Sequence, residues 1–335
     1  MFKFEKFRQR SCKRHPEVLY LTMKYYREAI MELQVSEKYS GRTLYELLRR
    51  ELHVSTRLLA RLKRDQNGLV VNGQRVTVRK VLNFGDTVTL CDFPSESPAK
   101  ICPVPLDIEI IYSDTYLTVV NKPPYMPTHP SHDHYDDTLA NALAYIHRDD
   151  EQPFIFRPVS RLDRNTSGLV TIAATKYASC RLNELMQSGG FAKRYIAVTD
   201  GVPHPEAGSI RTGLRRTSQS IIVREVCEPD APGAEQALTD YRVITTDGAH
   251  SLVEVRPHTG RTHQIRVHMA SLGAPICGDE LYGNKSDLIG RQALHAIGLN
   301  FIHPVTGEQL NLYAPPPGDM QILLDRLFPG INLKG

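Results

Sequence analysis

From Leu106 onward the chain repeats one pattern: a short run of alternating or wholly apolar residues, a turn, then another run, mostly with no helix-length segment between them. Parallel neighbours need a crossover of a dozen or more residues, so a chain that seldom supplies one must pair its strands mainly antiparallel. LDIEIIYS (106–113), YLTVVNKPP (116–124), GLVTIAATK (168–176), AKRYIAVTDG (192–201), ALTDYRVITT (237–246) and SLVEVRPHTG (251–260) read as strands, and LNFIHPVTGEQLNLYAPP (299–316) as a closing hairpin. Helices are expected from Asp137, over 176–188, and from about Thr262 to Leu272 with Gly273 as the stop. The fold class that follows is α+β: a large mixed, mainly antiparallel sheet with flanking helices over residues 106–330.

A smaller α/β unit is expected ahead of it, at 28–91, joined by the Pro- and Ser-rich linker DFPSESPAKICPVP (92–105). AIMELQV (29–35) reads as a strand. Ser40 is a candidate cap for a helix bearing Leu44, Leu47 and Leu48 on one face. A second helix is expected from Ser55 to Gly68, with Arg57, Arg61 and Arg64 opposite Leu58, Leu59 and Leu62. Asn72-Gly73 and Gly85-Asp86 mark the turns of the strands that follow. Residues 1–27 form a basic tail.

Charge divides along the same line. Residues 1–80 hold 19 Lys+Arg against 8 Asp+Glu, a net +11, whereas the remaining 255 hold 22 against 29. A basic front end favours a polyanion such as nucleic acid, because each cation near a phosphate releases counterions. Arg42, Arg57, Arg61 and Arg64 are the candidate RNA contacts. The six cysteines form no CxxC pair, which argues against a zinc ribbon and a disulfide framework; they are expected to be reduced and mostly buried. No run approaches about 18 consecutive apolar residues, so no membrane partner is expected. A cytoplasmic location follows, or an organelle matrix if the basic start is a transit sequence, against which Glu5 and Glu17 count.

RLDRNTSGLV (161–170) sets a carboxylate between two arginines directly before an apolar run. In an extended VSRLDR, Arg161 and Asp163 share a face and Leu162 points the other way. An exposed ion pair would account for this, but Thr166-Ser167-Gly168 reads as a tight turn into buried backbone, which puts Asp163 at the edge of the core. Tyr195 shares its strand face with the small Ala197, leaving room for a planar ligand on its ring. His263 and Arg266 lie three apart on one helical face, opposite Ile265, Met269 and Leu272, so Arg266 can hold a carboxylate ionised and aimed. Each feature also has a plainer structural reading: an amphipathic strand tyrosine, a solvated helix face.

Taken together, NKPPYMPTHPS (121–131), RLDRNTSGLV (161–170), KRYIAVTDG (193–201), HTGRTHQIRVHMASLGAPICGDELYG (258–283) and RQALHAIGLNFIHPVTGE (291–308) resemble, in order, spacing and wording, the RluA-type RNA pseudouridine synthases. Residues 40–91 resemble the S4 RNA-binding domain. The resemblance implies a pseudouridine synthase catalytic fold with an S4-like domain, and an isomerase that converts uridine to pseudouridine through an aspartate, with no cofactor and no metal. It implies that Asp163 is the nucleophile or ion-stabilising carboxylate, acting at base or sugar, and that Arg161 fills the gap left by a flipped-out uridine. Tyr195 is then the residue that stacks on uracil and shuttles a proton, Arg266 the partner of the carboxylate, and Leu162, His263 and Ile265 the remaining substrate contacts. Ser160 departs from the family, which commonly has histidine there. Large-subunit ribosomal RNA is the favoured target and transfer RNA the alternative; a monomer is expected.

Two rival classes remain. His132, His134, Asp136 and Asp137 make an HxHxDD arrangement close to a metal-dependent hydrolase signature. A non-catalytic RNA-binding factor on an inactivated synthase scaffold is the other, against which intact Asp163, Tyr195 and Arg266 speak.

Overall fold

A computed structural model describes residues 30–52, 54, 56–91, 101–150 and 154–333. The chain divides into two compact units, Met1–Phe93 and Pro94–Gly335. The tail 1–27, Ser55, residues 92–100 of the linker and the side chain of Arg57 lie outside the described residues.

In the first unit, strands β1 (Ile30–Gln34), β2 (Leu69–Val71), β3 (Gln74–Arg75) and β4 (Thr87–Cys91) form an antiparallel sheet in the order β1-β4-β2-β3. Asn72 (φ 52°) and Gly73 (φ 76°) make the left-handed pair that closes β2 onto β3. The Asn72 side chain also ties this turn to the next, donating to Asp86 Oδ1 at 2.7 Å and accepting the Thr87 N–H at 2.7 Å. The first helix, α1 (Leu44–Glu46), continues as a π-helical stretch to Glu51 and buries Leu44, Leu47 and Leu48 as the periodicity requires. Its cap is Thr43 rather than Ser40. Thr43 accepts the Glu46 N–H and receives that residue's carboxylate in return, a reciprocal box that Ser40, closing a 3₁₀ turn upstream, cannot form. Helix α2 (Thr56–Arg64) turns Leu59 and Leu62 inward. Arg64 is exposed, Arg61 is half-buried and Arg42 reaches Glu51 at 3.8 Å.

The second unit is built on a ten-stranded sheet, in accord with the expected α+β class. Its strands are β5 (Glu109–Ser113), β6 (Leu117–Lys122), β7 (Ser167–Ala173), β8 (Phe191–Asp200), β9 (Ala207–Arg216), β10 (Arg224–Cys227), β11 (Glu235–Thr246), β12 (His250–Pro257), β13 (Leu294–Ile302) and β14 (Gln309–Tyr313). The order is β10-β9-β11-β12-β8-β13-β7-β6-β5, with β14 paired to β13. Every pair is antiparallel except β13 with β7, which meet at His295–Ser167 and Ala296–Gly168. Helices α3 (Leu139–Ile146), α4 (Lys176–Gln187), α5 (Gln264–Ser271) and α6 (Gly318–Leu327) accompany it.

Several boundaries depart from the sequence reading. Helix α3 starts at a Thr138 cap, because the Thr138 hydroxyl accepts the Asn141 N–H while Asp137 is taken up by His134 at 2.6 Å. Helix α5 begins at Gln264, since His263 is left-handed (φ 58°) and stands at the position before the helix with no capping bond from its side chain. Strands β9 and β10 are too polar to stand out by periodicity, and α6 follows the hairpin that was expected to end the core. Of the described free cysteines Cys277 is buried, whereas Cys102 is exposed and Cys180 and Cys227 are intermediate, so burial is not their common feature.

The parallel contact explains the glycine of TSGLV. Gly168 is not in a tight turn but inside β7, with φ 114°, and a Cβ there would stand 2.4 Å from the Ala296 carbonyl oxygen. Gly168→Ala combines a forbidden backbone region with a backbone clash, and the expected loss is about 3–5 kcal/mol. Urea unfolding is the check, with the denaturant slope m unchanged if the native state alone is affected.

Candidate active site

Asp163 ends an irregular stretch that enters β7, and its carbonyl accepts the Thr166 N–H at 3.0 Å to close a turn. Buried polar groups hold that turn from below. Lys122 Nζ donates to the carbonyls of Pro123 (2.9 Å), Met126 (2.8 Å) and Arg164 (3.1 Å). Burial pulls its pKa down to about 7, opposed by the charge of Asp163. Arg291 Nη1 donates to the Asn165 carbonyl at 3.1 Å, while its Nε and Nη2 clamp Asp319 of α6 at 2.7 and 2.9 Å. Leu162 is buried, and its N–H and carbonyl both bind the Thr128 hydroxyl, at 3.3 and 3.0 Å. With Leu162 turned in, Arg161 is exposed and Asp163 half-exposed, as alternation requires.

Helix α5 brings Arg266 to the carboxylate, Nη1 to Asp163 Oδ2 at 3.2 Å. The remaining fork of the guanidinium is held by Asp279, with Nε and Nη2 each 2.7 Å from its two oxygens. Asp279 has 0% of its side chain exposed. Such a bidentate pair fixes the plane of the guanidinium and therefore the direction of its third nitrogen. Tyr282 completes the support: its ring lies 5.1 Å from the Arg266 guanidinium carbon, and its hydroxyl meets His263 Nδ1 at 2.8 Å. The other nitrogen of His263 stands 4.0 Å from Asp163 Oδ2, and burial holds the imidazole below its ordinary pKa.

Tyr195 faces the same site from β8. Burial, reinforced by the Asp163 charge, pushes its pKa up, so the phenol keeps its proton at neutral pH. The hydroxyl has no partner among the described residues. Arg161, Leu162, Asp163, Tyr195, His263, Ile265 and Arg266 all line one cleft of about 500 Å³, together with Ser160. That volume suits a ligand of nucleotide size.

Sequence reasoning missed Asp279, Tyr282, Lys122 and Arg291. GDELYG carried the first two, thirteen and sixteen residues beyond Arg266, but no periodicity links a loop acid to a helical arginine. The HxHxDD residues do not converge: His132 pairs with the neighbouring Asp133 at 2.9 Å and His134 with Asp137 at 2.6 Å. Among the described residues no group of three His, Cys, Asp or Glu side chains could hold a metal ion, and no helix is long and apolar enough to cross a membrane.

Residues 116–271 match the family described as RNA pseudouridylate synthase. The chain is 39% identical over 277 residues to the uncharacterized RNA pseudouridine synthase YjbO of Bacillus subtilis, a match spanning 82% of this chain and 95% of the relative. It is 37% identical over 298 residues to the ribosomal large subunit pseudouridine synthase D of Zymomonas mobilis, spanning 81% and 91%. Among solved structures it is similar to human RNA pseudouridylate synthase domain containing 4, with a TM-score of 0.52 at 27% identity over 65% of this chain and 92% of that one. With relatives of this identity matched along nearly their whole length, the chain belongs to the RNA pseudouridine synthase family and is an isomerase acting on RNA.

Proposed function

We propose that the cleft around Asp163 isomerises an everted uridine of large-subunit ribosomal RNA. The observation that carries the catalytic assignment is the Asp163–Arg266–Asp279 chain, in which one oxygen of a half-exposed carboxylate faces a guanidinium locked by a second, fully buried acid. Isomerisation breaks the bond from N1 of uracil to C1′ and joins C5 to C1′; a proton leaves C5 and one is gained at N1, with no net redox change. The chemistry asks for a carboxylate that is ionised, aimed and shielded. Asp163 acts as the nucleophile, at base or sugar. Arg266 keeps it charged and oriented. Tyr195 stacks on the base and hands a proton on, and Leu162, Ile265 and His263 wall the site from water.

Arg161 is the exposed side chain at the rim suited to enter the stack vacated by the uridine, whose extrusion costs a few kcal/mol. The 28–91 unit is assigned as an S4-like domain that adds affinity for the RNA backbone, on the strength of its basic balance and of Arg42, Arg57, Arg61 and Arg64. Residues 106–330 are assigned as the catalytic domain, in a monomer acting in the cytoplasm. The ribosomal target rests on the relatives named large subunit synthase D.

Mapping pseudouridines by carbodiimide-arrested reverse transcription in cells with and without the gene tests the target; loss of a stop in transfer RNA alone overturns it. Release of tritium from 5-tritiated uridine in that RNA tests catalysis, and a non-catalytic RNA-binding factor would release none. Turnover is expected to be the same in excess EDTA as without it. A loss of most turnover on chelation, restored by zinc, would overturn the metal-free reading of the isomerisation.

A further inference from the structure

Lys193 stands two residues before Tyr195 on β8, on the same face of the strand and about 7 Å along it. It lines the cleft that Asp163 and Tyr195 line. Unlike those of Arg161 and Arg164, which line the cleft but are exposed, its side chain is drawn partly out of solvent. Arg266 is committed to two carboxylates, and Arg261 to Glu235 and the Gln236 carbonyl. Lys193 Nζ has no hydrogen-bond or ion-pair partner among the described residues, although the side chain is partly buried. Burial alone displaces its pKa, downward, with no carboxylate acting against it. A cation removed from water without a counter-charge is costly, and the cost is recovered when an anion arrives with the ligand.

The backbone before α5 runs close to that ammonium. Gly260 lies beside it, and a Cβ built on this residue would be 3.6 Å from Lys193 Nζ. Nothing in the backbone demands glycine at 260, since no steric clash and no left-handed φ is found there. Any larger residue would begin to close over the charge.

We propose that Lys193 is a substrate-binding residue, the socket for one backbone phosphate flanking the everted uridine. The assignment rests on the cleft being where uridine in RNA is held. A phosphate is favoured over the uracil because it carries a full charge in the ground state, whereas the base is neutral until its glycosidic bond breaks. The carboxylate of the site already has its cation in Arg266, so Lys193 is not needed for that role. A compact ammonium suits a phosphate as a point charge.

The test uses synthetic RNA stem-loops carrying the mapped uridine, with a neutral methylphosphonate in place of the phosphate on its 5′ or its 3′ side. Kd and single-turnover rate are measured for the full chain and for Lys193→Met. One of the two methylphosphonates is expected to weaken wild-type binding about 10-fold, a usual scale for one charge-assisted contact. Lys193→Met should weaken binding of the unmodified RNA by the same factor and bind the methylphosphonate RNA no worse. The slope of log K against log salt should fall by about 0.7, one contact to a single strand. Lys193→Arg, which keeps the charge, should recover most of the affinity, separating this role from a fold defect.

Fully additive losses at both phosphates overturn the assignment. So does a Lys193→Met protein that binds normally but turns over slowly, which would put the charge on the departing uracil. A wild-type protein that binds the stem-loop without converting it overturns the catalytic reading alone, because the phosphate comparison is read from binding.

Discussion

Asp163→Asn is expected to lower the single-turnover rate by about 10⁴-fold, the scale on which removing a covalent catalyst acts in other enzymes. The carboxamide fills the same space and can still accept from Arg266 Nη1, so orientation is largely kept while the charge and the nucleophile are lost. RNA affinity should stay near that of the wild type, since the amide removes a negative charge from a cleft that binds a polyanion. Stability should also change little. Asp163 is 28% exposed and meets Arg266 through one nitrogen, an interaction worth about 0–1 kcal/mol at such a position. A variant with unchanged tritium release would remove Asp163 from the chemistry. One that fails to fold would recast it as a structural group, and thermal melting separates the two.

Asp279→Ala is the complementary case, in which stability and rate fall together. The acid receives Arg266 through two 2.7 Å bonds and also accepts the Leu281 N–H at 3.1 Å. Its deletion leaves a buried guanidinium with only Asp163 as counter-charge, and breaking a buried pair in this way costs about 3–5 kcal/mol. For a unit of this size that corresponds to a fall in Tm of about 10 °C. Turnover should fall as well, because Arg266 loses the fork that fixes the direction of Nη1. The double variant Arg266→Met with Asp279→Leu separates the effects. An apolar pair of similar volume should regain most of the stability and none of the activity. Restored turnover in that variant would show that the guanidinium is dispensable.

The contrast between Asp163 and Asp279 also explains why one was legible and the other was not. Asp163 sits between arginines at the head of a seven-residue apolar strand, an arrangement that is unusual within ten residues of sequence. Asp279 has no such signature. Its importance comes from lying under α5, and sequence distance from Arg266 carries no information about that. Lys122 and Arg291 belong to the same class: basic side chains beside apolar runs, whose burial depends on carbonyls contributed from residues 123 to 165. Helix α6 is different, since Met320, Leu323, Leu324 and Leu327 recur at helical spacing and that stripe was available to be read.

What the linear order of residues determined is local. A period-two run made β11, short apolar runs made β6, β8 and β12, an Asn-Gly pair made the turn after β2, and helical spacing made α2 and α4, because each depends on neighbours a few positions away. The segments shared with a known family identified the cleft residues without locating what supports them. Tertiary structure alone decided the strand order, the parallel meeting of β13 with β7 that requires Gly168, and the pairing of buried cations with carbonyls and acids far along the chain. Charges of that kind tolerate burial only when every donor finds a partner, and such a condition is met in three dimensions or not at all.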